Sequence, residues 1–563
     1  MKKTKLKYGF IATLLISGLW SCKKDFLDTQ YDIYNTPRSI ATDRATLTTF
    51  ANTFYLPLPY GFNAIDGNLG AAISDEAQQT VVGSGTQIFN QGTLSPTNIP
   101  GDVNNEYNNS YEGIRAANFY LNYSRNWRAL LKLNRDTITD ITNYNRDKVL
   151  IGYYRGEAHI ARAFYYAELI KRYGGVPIMD NLLDYNNVQP VARSSYDQVV
   201  AYIVKEIDTY KDSLAVNWST SAYKDQLGRF DKGTAFALKA RVLLYAASPL
   251  NNPTNDVNKW IAAAAAARDV ITPSLGYSLY TGGYQAYFQA NNSIMSGNPE
   301  TIMAVRMPPN TYPETNNYPI GTPGGKSGIA PSQNLVSDYE YKGTADAANP
   351  YANRDPRLAA TIVTNGSTWN SRTIDISAGG TDDRSKANTS PTGYYLKKYL
   401  TDNLNIVNGA AATHSWVLFR YAEVLLNYAE AMNEAYGPDV IPAGFTLSAR
   451  QALNLIRART GVVMPAVTVA GVADFRNAVK HERRIELAFE GHRYFDLLRW
   501  KDAPTVLNQP IQGVAATKTG AVFSYQTINV ATRTFNAPTN YLYPFSQGEI
   551  VNSGGKLVQN PGY

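Results

Sequence analysis

One cysteine, Cys22, and four histidines are all that 563 residues offer toward thiol, disulfide or imidazole chemistry. A single cysteine forms no internal disulfide, so in an exported chain its thiol is either free or modified. The histidines (His159, His414, His481 and His492) leave few members for a metal site or a nucleophilic triad, and no GxSxG turn is present. Beyond the N-terminal segment no apolar run approaches the ~20 residues of a membrane-spanning helix. Nor is there a block of one charge: the net charge is +7, but Lys and Arg alternate with acids, where a nucleic-acid footprint needs a concentrated patch. Hydrophobic content of 44% and charged content of 18% are ordinary for a folded chain and exclude a disordered one.

What is present begins with a basic stretch, MKKTKLKYG, followed by apolar Phe10 to Leu19. The apolar part is about half of the ~20 residues a span requires, so residues 1–21 read as a signal peptide. It ends on Leu19-Trp20-Ser21-Cys22, which resembles a bacterial lipobox and assigns Cys22 as the lipidated residue. Several acyl chains, at about 0.8 kcal/mol per buried methylene, make a stable anchor. The polar run 22–40 reads as a tether between that anchor and the fold.

From residue 41 onward apolar positions recur at helical spacing. Tyr111, Ile114, Ala117 and Leu121 form one stripe, continuing toward Leu131. Glu157 to Tyr173 forms another, stopped by Gly174-Gly175 and Pro177. Further helices are expected from Ser195 to Tyr210, from Asp231 to Ala247, and over alanine-rich Trp260 to Ile271. Helices joined in pairs by short Gly/Pro turns suggest tetratricopeptide-like stacking, but their unequal spacing makes it irregular. The expected class is therefore mostly α, with a helical framework over about 41–271 and 412–500. Loop-rich insertions cover about 56–106, 272–411 and 501–563. Two decoys lie in the middle insertion. Gly321 to Ser327 is one residue short of a phosphate-binding loop and follows prolines instead of a strand, and Asp375, Asp382 and Asp383 lack EF-hand spacing.

The densest stretch is His481 to Trp500, HERRIELAFEGHRYFDLLRW. As a helix it buries Ile485, Ala488, Phe489 and His492 on one face, with Asp474 as N-cap and with Glu486 and Glu490 in reach of Arg483 and Arg493. Ion-paired glutamates are held ionised and are poor candidates for general acid–base catalysis. His481-Glu482 begins like a zinc-protease HExxH motif, but Ile485 stands where the second histidine belongs. No catalytic residue, metal site or cofactor is assigned.

This stretch resembles the C-terminal signature of the SusD/RagB family of nutrient-binding surface lipoproteins. In chain order, GEAHIARAFYYAELIKRYGGVP, GRFDKGTAFALKARVLLYAAS, ANRDPRL, RYAEVLLNYAE, ALNLIRARTG, YLYPFSQGEI and the closing QNPGY resemble that family too. The resemblance implies one such domain over 41–563, carried on the outer membrane by its lipid and facing the exterior. It further implies capture of a glycan or oligosaccharide for a SusC-like TonB-dependent transporter, with no enzymatic step and no nucleic acid partner. In such proteins the ligand site is built from loops. Sugar recognition needs aromatic faces beside planar amides, carboxylates or arginine, and 41 tyrosines supply many candidates. Gln87, Phe89 and Asn90, with Tyr312, Tyr318 and Trp369 as aromatic platforms, are the expected ligand contacts. The alternatives are peptide capture in the same role, a secreted glycoside hydrolase with two facing carboxylates, and a purely structural helical scaffold.

Overall fold

The computed structural model describes residues 41–183, 189–289 and 298–563. The expected signal peptide 1–21 and the expected tether 22–40 with Cys22 lie outside the described residues. Of the helices, those used below are α1 (Arg44–Phe50), α2 (Ser84–Asn90), α3 (Gly101–Tyr123), α4 (Trp127–Asn134) and α5 (Ile141–Tyr173). They continue as α6 (Tyr196–Tyr210), α7 (Lys232–Ala247) and α8 (Val257–Ile271). After the middle insertion come α9 (Tyr421–Tyr436), α10 (Ala449–Arg457), α11 (Val472–Glu486) and α12 (Arg493–Trp500).

Local chemistry sets these boundaries. Ser195 and Gln198 form a reciprocal capping box at the start of α6, and the Asp231 carboxylate accepts the Thr234 N–H at the start of α7. Gly174, at φ +69°, stops α5 in a conformation that a side chain would disfavour. Each helix buries one side on the next: α3 packs on α5, α5 on α6, α6 on α7, α7 on α8, α8 on α9, and α9 on α10 and α11. The framework is thus mostly helical and irregularly stacked, as expected.

Short antiparallel strands tie the insertions to this framework. Residues Ala77–Gln79 (β1) pair with Ile329–Pro331 (β3), and Thr301–Arg306 (β2) pair with Ser415–Arg420 (β4), which runs directly into α9. The C-terminal insertion is not all loop. It holds a hairpin of Ile511–Thr519 (β5) and Val522–Ala531 (β6). Mixed polar and small residues in β6 hide its strand character, and most of that strand stays at least partly exposed.

The His481 to Trp500 stretch is two helices, not one. The N-cap of α11 is Gly471, with Asp474 inside the first turn, and the helix ends at Glu486. Its terminal carbonyls are taken by side chains from elsewhere: Arg420 and Tyr284 donate to Glu486 O, and Lys398 Nζ donates to Ala488 O at 2.8 Å. Phe489 N–H donates to the Glu76 carboxylate at 3.1 Å. With these groups engaged, and Phe489 and Gly491 at positive φ, the helix cannot continue.

The ion pairs also differ from those expected. Glu486 Oε1 binds Arg420 at 2.8 Å and Arg459 at 2.6 Å, while its other oxygen binds Arg357 at 2.9 Å. Glu490 pairs with Arg420 and Lys398, both at 2.7 Å, and Arg493 reaches Asp75 instead. Arg420 and Arg459 share Glu300 as well. Glu300, Arg357, Lys398, Arg420, Arg459, Glu486 and Glu490 are all buried. Burial opposes ionisation of Glu486, but Arg459, Arg420 and Arg357 together bring its pKa down to about 2.

Candidate functional site

A cavity of about 150 Å³ opens where the loop at Pro59–Gly70, the end of α5, α7, β4 and the turn between α11 and α12 converge. Its walls alternate aromatic rings and ion pairs. Tyr60, Phe89, Trp416 and Phe495 supply ring surface. Gly61 makes room for the indole, since a β-carbon there would fall 2.1 Å from Trp416 Cε2. Gly61→Ala therefore overpacks the wall, and we expect it to lower stability by about 1–3 kcal/mol, read as a lower denaturation midpoint.

The charged lining is paired. Glu168 on α5 binds Lys171 at 2.6 Å and Arg172 at 2.8 Å, at the three- and four-residue spacings that face one another on a helix. Burial alone would raise the Glu168 pKa, but the two cations bring it down to about 2. Burial pushes Lys171 down to about 8 against the pull of Glu168. Arg241 on α7 clasps Glu423 with contacts of 2.6 and 2.7 Å. Burial lowers His492 to about 4, so its imidazole is neutral at pH 7. Glu76 is pushed up to about 7 by burial.

Three tyrosines supply the uncommitted polar groups. Tyr245, Tyr494 and Tyr543 line the cavity, are more than nine-tenths buried, and have hydroxyls without a hydrogen-bond partner among the described residues. Burial holds all three phenols well above their usual range, so they remain donors. These hydroxyls are free to bond a polar guest in place of water. A space of this size holds one six-membered ring.

The structure brings some of the expected site residues here and places others elsewhere. Phe89 lines the cavity, edge-on to Tyr494 with ring centroids 5.8 Å apart. Asn90, on the same short helix, is held by its Nδ2 donating to Ala72 O at 3.2 Å, and Gln87 is exposed. Tyr312 is 39% exposed and leans on the cavity loop, its hydroxyl donating to Gly67 O and, at 3.3 Å, to Asn63 Oδ1. Asp66 of that loop accepts the Gly85 and Thr86 N–H groups at 3.0 and 2.6 Å, which fixes α2 and hence Phe89.

Tyr318 and Trp369 are corrections. Both are buried, packed edge-to-face at 6.4 Å, and Tyr318 is bonded to Thr401 O and Leu404 N. The polar loops around them fold over the rings, so neither offers a face to a ligand. Sequence reasoning missed Trp416, Phe495 and the three tyrosines. The Glu168/Lys171/Arg172 spacing was a readable signal, whereas the tyrosines gave none beyond their number. Among the described residues no three His, Cys, Asp or Glu side chains are grouped to hold a metal, and no helix is long and apolar enough to cross a membrane.

Comparison with known proteins covers nearly the whole chain. Residues 291–563 match a family model described as SusD family, and residues 25–244 match one described as starch-binding associating with outer membrane. SusD-like protein P38 of Formosa agariphila is 28% identical over 421 residues, 70% of this chain and 73% of that protein. SusD-like protein P2 of the same organism is 24% identical over 458 residues, 77% and 79% of the two chains. A solved SusD-like protein from Bacteroides fragilis superposes with a TM-score of 0.74 at 25% identity, covering 94% of this chain and 99% of the other. A SusD-like carbohydrate binding protein from B. fragilis gives 0.73 at 24% identity (92% and 99% coverage), and a laminarin binding SusD-like protein gives 0.61 at 22% (93% and 99%).

Proposed function

Because the chain belongs to the SusD family, we propose that it is a lipid-anchored surface protein that captures a glycan and hands it to a TonB-dependent outer-membrane transporter. One observation carries the ligand assignment: a ring-sized cavity walled by aromatics and lined by three tyrosines whose hydroxyls lack protein partners among the described residues. A sugar residue meets both needs, its C–H face on a ring and its hydroxyls on the phenols and the Lys171/Glu168/Arg172 cluster. A cavity this small takes a single sugar, so the rest of the chain runs outside it, toward Tyr312. The carbohydrate-binding and laminarin-binding relatives support the ligand class. Phe89 and Tyr312 stay in the proposed contact set, with Gln87 and Asn90 as flanking polar groups.

The role involves no bond cleavage. A retaining or inverting glycosidase needs a protonated carboxylic acid facing an ionised partner. Of the four carboxylates lining the cavity, Glu168 and Glu490 are held ionised by their cations, Glu106 pairs with Arg172 at 3.3 Å, and Glu76, with its raised pKa, already accepts the Phe489 N–H. Affinity electrophoresis of the soluble protein through plant, fungal and host polysaccharides tests the reading, with a peptide mixture bound in parallel. Retardation by one polysaccharide, without release of new reducing ends, is the expected result. Retention of peptides and of no polysaccharide would replace the glycan with a peptide ligand.

A further inference from the structure

A second surface, made of residues that do not line the cavity, combines cations without an ion-pair partner among the described residues with exposed apolar side chains. On α4 and just before it, Arg125, Arg128 and Lys132 are exposed, and among the described residues none of them forms an ion pair. Behind them Arg155 donates to Leu121 O and Ser124 Oγ, also with no carboxylate partner. The nearby acids are engaged otherwise. Asp140 and Asp147 bind Arg135, Asp147 also binds Arg44, and Asp136 accepts from Ile138 N–H and Thr139. Beside these cations stand Leu133 at 85% exposure and Ile138 at 83%, with Ile141 at 44%. Water-facing leucine and isoleucine next to uncompensated arginine and lysine suit an interface that is anionic at its surface and apolar just below.

This patch adjoins the point where the chain enters the described structure. Arg44 N–H at the start of α1 donates to Asn134 Oδ1 at 3.2 Å, and the Arg44 guanidinium binds Asp147 at 3.2 Å. Upstream lies the run that leads back to Cys22. Fully extended, it spans at most roughly 60–70 Å, far enough to leave the body's orientation undetermined by the lipid alone. We infer that the α4 face, Arg125, Arg128, Lys132, Leu133 and Ile138, docks onto the phosphate-bearing lipid surface in which the anchor is embedded. The inference rests on the lipid-anchor reading and is independent of the glycan assignment. Docking gives the body a fixed stance, with the cations on lipid phosphates and the two apolar side chains dipping beneath them.

The test uses the lipidated full chain carrying a nitroxide at Leu133→Cys, with Leu455→Cys on α10 as an exposed control. On vesicles of phosphatidylcholine with phosphatidylglycerol, we expect the residue 133 label to be several-fold less accessible to an aqueous nickel complex than the residue 455 label. On phosphatidylcholine alone the difference is small. Combining Arg125→Glu, Arg128→Glu and Lys132→Glu brings the residue 133 label close to the accessibility of the residue 455 label. A residue 133 label as wet as the control on anionic vesicles overturns the proposal, as does protection that arises only when a transporter barrel is added. Failure of the lipidated chain to float with any vesicle overturns the anchor premise and the docking with it, while leaving glycan retention untouched.

Discussion

Replacing Arg420 with methionine lowers the free energy of unfolding by about 3–5 kcal/mol, because it strands buried carboxylates without their cation. Arg420 binds Glu300, Glu486 and Glu490 at 2.7–2.8 Å from a position that is 1% exposed. Arg459 and Arg357 still hold Glu486, but only Lys398 remains for Glu490. The cost comes from an uncompensated buried charge and not from the net worth of the pairs, since a fully apolar replacement of such a cluster is often neutral or stabilising. Acid separates the two contributions. Glu486 falls from 4.5 to about 2 on folding, so its contribution is complete above pH 4.5 and is lost as the pH falls toward 2. Arg420→Met weakens that depression, so the stability gap between wild type and variant narrows on acidification. Chemical denaturation at neutral pH and near pH 3 measures both effects.

Removing the Tyr245, Tyr494 and Tyr543 hydroxyls together as Tyr→Phe leaves stability unchanged or raised, yet weakens glycan binding by roughly 10-fold to 2000-fold. Each hydroxyl lacks a partner among the described residues, so folding loses no bond there when it goes. Each bond to a ligand hydroxyl contributes about 0.5–1.5 kcal/mol, and three of them give the stated range. Trp369→Ala should show the opposite pattern, a loss of about 3–5 kcal/mol from a cavity in the core with intact affinity at temperatures where the variant is folded. Calorimetric titration beside thermal melts separates these outcomes.

The parts of this molecule readable from its sequence are those fixed by neighbours along the chain. Ser195 with Gln198, Asp231 with Thr234, and Glu168 with Lys171 and Arg172 act within one helical turn, so their spacing reveals them. Glu486 looked paired with Arg483 for the same reason, but its partners come from positions 357, 420 and 459, and Arg483 turns to Asp496. Long-range pairing leaves no periodic trace. The site divides in the same way. Phe89, expected as a contact because it sits in a polar loop-rich region, lines the cavity, whereas Trp416 lies in the apolar run Ser415–Arg420 and reads as core. Tyr318 and Trp369 carried the composition of a sugar platform, and only the fold of the loops above them shows that they are buried.

The central claim is that the cavity between Trp416 and Phe495 receives one sugar residue. A crystal structure with an oligosaccharide cut from the retained polysaccharide tests it most directly. We expect one ring in the cavity, within hydrogen-bond distance of at least two of the Tyr245, Tyr494 and Tyr543 hydroxyls, with the remaining sugars leading out past Tyr312. An oligosaccharide bound elsewhere on the surface, with the cavity filled only by water, would contradict the account.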